Sequence, residues 1–123
     1  MPGSPPPEAS SNSSIPVAAA GLIDLLLFFC GRRKLLRIDG ASMAPTLSAG
    51  DRVLITRHRT PAPGDVVVAW HPTASGLRLI KRLIRIDASG LWLEGDNPDA
   101  STDSRQLGPL PINLLIGVVV ARI

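Results

Sequence analysis

From residue 35 onward the chain is a series of short apolar runs separated by turn signals. "RVLIT" (52–56), "DVVVAW" (65–70), "LRLIKRLIRI" (77–86), "LWLEG" (91–95) and "IGVVVARI" (116–123) are rich in Val, Ile and Leu and predict strands. "SAGD", "PAPGD", "DASG" and "NPDAS" fall between the runs and predict turns. No stretch keeps a long helical period, so residues 35–123 read as one small, mostly β domain.

The pattern before residue 35 is different. Residues 1–14, "MPGSPPPEASSNSS", have no large apolar side chain beyond Met1 and are expected to form a disordered tail. Residues 15–34 form an apolar segment, "IPVAAAGLIDLLLFFC", with a basic flank, "GRRK". As a helix, the sixteen apolar-segment residues span about 24 Å against a hydrocarbon core of about 30 Å. Nine strong apolar residues at roughly −0.5 kcal/mol each are mostly offset by a central Asp24 at about +3 kcal/mol. Membrane association through 15–30 and packing on the domain as a helix or strand therefore stay open alternatives. If the segment inserts, Arg32, Arg33, Lys34 and Arg37 after it place the domain on the cytoplasmic side. A cleaved signal peptide would carry its positive charge before the apolar stretch.

Composition narrows the functional classes. A chain of 123 residues with 45% hydrophobic content holds one domain with a modest core. Its net charge of +3 comes from arginines spread along the chain, and its four aromatic residues are not interleaved with them, so no nucleic-acid partner is expected. The single Cys30 excludes an intrachain disulfide, and two histidines with one cysteine fall short of a zinc set. No metal and no cofactor are expected.

The segment "GASMAPTLSAGD" (40–51) sets Ser42 between Gly40 and Pro45, either as an ordinary turn or as a presented nucleophile. A serine nucleophile needs a base, and arginine stays protonated, which leaves His58, His71, Lys34 and Lys81. Lys81 lies inside the most apolar run, where Leu79, Ile80, Leu83 and Ile84 could desolvate it; the plainer reading is a strand lysine snorkelling to water. Lys34 reads as a solvated flank, and the two histidines as loop residues.

"GASMAPTLSAGD", "PGDVVVAW", "LIKRLIRI", "GDNPDASTDSRQLGPLP" and "IGVVVARI" together resemble, in order and character, the boxes of type I signal peptidases, a Ser/Lys protease family. The resemblance covers residues 38–123 and implies a signal-peptidase-like β domain of S24/S26 type. It implies Ser42 as nucleophile and Lys81 as general base, with Ser101 orienting the lysine. Met43, Pro45, Arg82, Gly95, Asp96 and Asn97 are implied as structural support, and Asp103 with Arg105 as a bracing ion pair. Gly40 departs from the pattern, since many members carry an oxyanion-hole hydroxyl there.

The compact span between the lysine box and the Gly-Asp-Asn box is most similar to the subgroup of nickel-type superoxide dismutase maturation proteases. That likeness implies removal of an N-terminal propeptide from a cytoplasmic precursor. The alternatives are a membrane type I signal peptidase with an extracytoplasmic catalytic domain, and a non-catalytic β interaction module. In either enzymatic reading the partner is a protein precursor. Self-cleavage at the small-residue run 18–21 is a further expectation of low reach, because the tether to Ser42 is short.

Overall fold

A computed structural model describes residues 16–123; the stretch 1–14, expected to be disordered, lies outside the described residues. One helix precedes the sheet, α1 (Leu22–Phe29). The strands are β1 (Lys34–Arg37), β2 (Arg52–Thr56), β3 (Val66–Trp70), β4 (Arg78–Asp87), β5 (Gly90–Glu94) and β6 (Leu115–Arg122), with the one-turn helix α2 (Ser104–Leu107) between β5 and β6. They form a single sheet in the order β1-β2-β6-β3-β4-β5, every neighbouring pair antiparallel. This is the mostly β architecture that the alternation of short apolar runs and turns predicts.

The central strands are apolar on both faces because the sheet has a core on each side. Val66 and Val68 of β3 join Leu36, Ile38, Met43, Leu47, Val53, Ile55 and Val119 in one cluster. Val67 and Ala69 point the other way and join Leu79, Leu83, Leu91, Leu93, Leu110 and Val118. The unbroken run "VVVA" is therefore a strand buried on both sides rather than a half-exposed one.

The described part of the apolar segment, residues 16–34, divides into three uses. Val17 packs against the first cluster, and Ala18 C=O and Ala20 N–H are tied to Arg122 of β6. The small-residue run 18–21 is thus held beside the sheet by main-chain hydrogen bonds. Gly21 caps α1, its N–H donated to Asp24 Oδ2 at 3.2 Å. Asp24 works there as a first-turn acceptor, its natural place at the positive end of a helix, and Arg33 lies 3.8 Å from it. α1 has no buried residue; Leu22 is 74% and Phe29 80% exposed, so the helix does not pack on the domain. Among the described residues no helix is long and apolar enough to cross a membrane. Lys34, read as a solvated flank, is exposed and opens β1, a strand of which only Leu36 is buried.

Both sheet edges bear on the site. The outer edge of β5 is closed: Leu91 N–H and C=O pair with Leu110, Leu93 N–H meets Ser104 Oγ, and Gly95 N–H meets Asp103 Oδ2. Among the described residues the outer edge of β1 is open. Ile38 N–H donates to Asp51 and Gly50 donates back to Ile38, so Ile38 and Leu36 face β2 while the main-chain groups of Leu35, Arg37 and Asp39 face away from it.

Candidate active site

Ser42 sits in the loop between β1 and β2, half-buried. Met43, 1% exposed, and Leu47, fully buried, drive into the first cluster on either side of the turn and fix the loop to the sheet. Gly40 has φ +79°, a left-handed conformation open to glycine at little cost, and it turns the chain toward Ser42. Pro45 is exposed, with a cis peptide bond before it.

A second brace comes from the segment after β5. Asn97 donates its N–H to Ser42 C=O at 2.8 Å and its side-chain amide to Ala41 C=O at 3.1 Å. One turn farther along the loop, the Thr46 hydroxyl donates to Asp96 Oδ2 at 2.7 Å. Asp96 in turn accepts from Arg82 Nη2 at 2.7 Å and Nε at 3.3 Å, while Arg82 Nη1 donates to Gly64 C=O at 2.9 Å. Both side chains of this ion pair are 2% exposed. Asp96 and Asn97 therefore join a loop some fifty residues earlier to a buried guanidinium on β4.

Gly95 is required by space. A Cβ there would collide with Ser101 Oγ and approach the Ser42 carbonyl oxygen to 2.7 Å. Gly95→Ala is expected to push the serine loop away from the loop carrying Ser101 and cost about 1–3 kcal/mol, the usual range for overpacking. The check is the denaturant midpoint of the variant; an unchanged midpoint would mean the two loops yield freely.

Lys81 lies on β4, opposite Val67 of β3, and is 5% exposed. Burial is the largest influence on its ammonium and lowers its pKa; Asp103 pulls the other way, and Arg105 adds to the lowering. It does not snorkel to water. Ser42, Met43 and Lys81 line one cavity of about 330 Å³, walled by Leu36 and Ile38 on the β1 side and by Leu77 and Leu79 on the β4 side.

Behind the lysine, Asp103 is fully buried and caps α2, accepting Arg105 N–H at 3.1 Å. Burial alone would raise its pKa, but hydrogen bonds from the Arg105 guanidinium, Gly95 N–H and Ser101 hold the carboxyl well below the usual range. Arg105 reaches it through Nε at 2.9 Å and Nη2 at 2.6 Å. The Ser101 hydroxyl proton goes to Asp103 Oδ2 at 2.5 Å rather than toward the lysine. Ser101 Oγ keeps only acceptor capacity, which suits it to receive an N–H from Lys81.

The other candidate bases stand elsewhere. His71 Nδ1 accepts the N–H groups of Thr73 and Ala74 within the β3–β4 turn, and His58 N–H donates to Thr56. Neither ring lines the cavity of Ser42 and Lys81. Among the described residues no His, Cys, Asp and Glu side chains gather as a metal set. Thr46 and the cavity walls Leu36 and Ile38 were not singled out from sequence; their spacing, two apart in an extended run, is the only signal that could have marked the walls.

The Peptidase S24-like family matches residues 28–114. Similar proteins include mitochondrial inner membrane protease subunit 1 of Schizosaccharomyces pombe, 35% identical over 69% of this chain and 69% of that protein. The Homo sapiens subunit 1 is 32% identical, over 69% of this chain and 66% of its own. The Danio rerio mitochondrial inner membrane protease subunit 2 is 31% identical, over 66% and 58%. The chain thus spans between 58% and 69% of the length of these relatives.

Proposed function

We propose, from the premise that this chain belongs to the Peptidase S24-like family, that it is a membrane-associated, signal-peptidase-like serine endopeptidase in which Ser42 is the nucleophile and Lys81 the general base. The observation that carries this reading is a desolvated lysine lining the same cavity as a serine whose loop is held from two sides. The relatives' names speak for membrane proteolysis and give no support to a nickel superoxide dismutase precursor as substrate. The alternative stated from sequence, a membrane signal peptidase, is the better reading.

The chemistry follows from the residues. Neutral Lys81 takes the Ser42 hydroxyl proton as Oγ attacks the scissile carbonyl. Among the described residues Ser42 N–H has no hydrogen-bond acceptor, which leaves it to meet the developing oxyanion. Collapse expels the amine, protonated by the Lys81 ammonium, and leaves an ester on Ser42. Lys81 then deprotonates a water that hydrolyses the ester. With Gly40 where a second donor hydroxyl would stand, the hole relies on main-chain donors.

Substrate fits as an added strand. The open edge of β1 presents Leu35, Arg37 and Asp39, and the part of β4 before Arg82 has β3 on one side only, presenting Arg78 and Ile80. Both edges border the cavity, so an extended peptide between them can make main-chain hydrogen bonds on each side.

The pH dependence carries a sign. Only neutral Lys81 is active, so kcat/KM rises with pH as the lysine loses its proton. Because burial lowers its pKa, the acid limb is expected below the ordinary lysine value of about 10.4. A limb at the ordinary value would exclude Lys81 as a desolvated base.

The test of the function is cleavage of a membrane-inserted preprotein in liposomes, read by intact mass, beside a nickel superoxide dismutase precursor. A single cut in the preprotein, lost in Ser42→Ala, is expected, with the dismutase precursor intact. Cleavage of the dismutase precursor alone would restore the maturation reading.

A further inference from the structure

Asp103 accepts five donors on two oxygens. Oδ1 receives Arg105 Nε and the Arg105 N–H; Oδ2 receives Arg105 Nη2, Gly95 N–H and the Ser101 hydroxyl. A carboxylate offers about four lone-pair sites, so this one is saturated. Lys81 is within electrostatic reach of it, yet among the described residues Lys81 forms no ion pair. The arrangement is odd for a buried amine, since an unoccupied carboxylate beside it would hold it charged.

We propose that Arg105 keeps Lys81 unprotonated by holding Asp103 in a two-pronged ion pair, so that the carboxylate is not free to pair with the lysine's ammonium. Arg105 is then a positioning residue for the base, and the inference rests on the reading of Lys81 as that base. Its guanidinium is fixed by a third contact, Nη2 to Gly95 C=O at 3.3 Å, which anchors it to the turn beside Ser42. The repulsion between Arg105 and Lys81 acts in the same direction.

The remaining charges around the lysine do not replace this pair. Val67, opposite on β3, carries none. Arg37 and Asp39 from the β1 side and Arg78 from β4 line the same cavity but are exposed, where solvent screens them. Arg82 and Asp96 neutralise each other. Glu94 on β5 acts on Arg105 and strengthens its charge.

The chain has two lysines, exposed Lys34 and buried Lys81, so the full chain labelled with ¹³C at lysine Cε gives two resolvable titrations by NMR. In Arg105→Gln the Lys81 midpoint is expected to rise by about one pH unit or more, as an opposite charge set free nearby shifts a titration by about 1–3 units. The acid limb of kcat/KM is expected to move with it. Adding Asp103→Asn should return the midpoint to the wild-type value or below. An unmoved midpoint in folded Arg105→Gln, with stability reduced, would overturn the proposal and leave Arg105 as a brace alone. Should Arg105→Gln not fold, Arg105→Lys keeps the charge and loses the fork; a smaller rise is expected, and none would likewise overturn it. The NMR midpoint needs no turnover, so it stands apart from the protease reading, which fails if Ser42→Ala still cleaves.

Discussion

Lys81→Met is expected to lower kcat/KM by at least about 10³-fold while leaving the chain folded and no less stable. Methionine has nearly the length of lysine and carries no group that resists burial, so the strand packs as before and the base alone is lost. Lys81→Arg should be as inactive, since a guanidinium stays protonated at any pH of use. Ser42→Ala should cost as much, and the double variant no more than either single one, because nucleophile and base act in one step. The check is initial rate against chain concentration, with circular dichroism melting of each variant. A Lys81→Met chain within about tenfold of wild type would remove the lysine from the mechanism.

The largest effect on stability is expected at Asp96. Removing one partner of a buried ion pair leaves the other charge uncompensated and costs about 3–5 kcal/mol. In Asp96→Ala the Arg82 guanidinium, 2% exposed, loses two hydrogen bonds, and the serine loop loses one of its ties, the one from the Thr46 hydroxyl. Total stabilities are about 5–15 kcal/mol, so much of the fold's margin disappears. The melting temperature should fall by at least about 12 °C, at about 4 °C or more per kcal/mol for a domain of this size. Arg82→Met with Asp96→Leu should recover most of that loss, because an apolar pair packs in the same buried space without an uncompensated charge. A fall of only a degree or two in Asp96→Ala would show that water reaches the pair.

The two predictions draw on different parts of the sequence. Five of the six strands are legible because each is a Val-, Ile- or Leu-rich run closed by Gly, Pro or Asp turns. β1 is not: "KLLR" has two apolar residues in a basic stretch, and only Leu36 is buried. The fate of residues 17–20 was illegible for another reason, since their partner, Arg122, is at the far end of the chain. In the candidate site, residue types and order are readable, but the ties are not. Nothing local in "GDN" says that Asp96 will meet Thr46 and Arg82, or that Asn97 will hold Ala41 and Ser42. The same holds for Ser101, whose hydroxyl could have been donated in either direction until Asp103 was placed beside it.

These ties also explain why the serine is presented as it is. Met43 and Leu47 anchor the loop from within, and Asn97 and Asp96 hold it from the side. The loop's position is thus set by packing and by hydrogen bonds to a segment that also carries the lysine's neighbours. If Ser42 and Lys81 act as nucleophile and base, holding the serine loop in this way supplies the preorganisation that a fixed pair needs.

With Ser42 as nucleophile, its Oγ forms an ester with the substrate, and that ester can be trapped. An activated ester of a small-residue peptide acylates faster than the enzyme deacylates, so acid quenching should preserve the adduct for intact-mass analysis. Cleavage after arginine then releases residues 38–52, which contain Ser42, Thr46 and Ser48. The peptidyl mass is expected on that fragment, localised to Ser42, and is expected to be lost in Ser42→Ala. An adduct on Thr46 or Ser48, or a label that survives in Ser42→Ala, would contradict Ser42 as nucleophile.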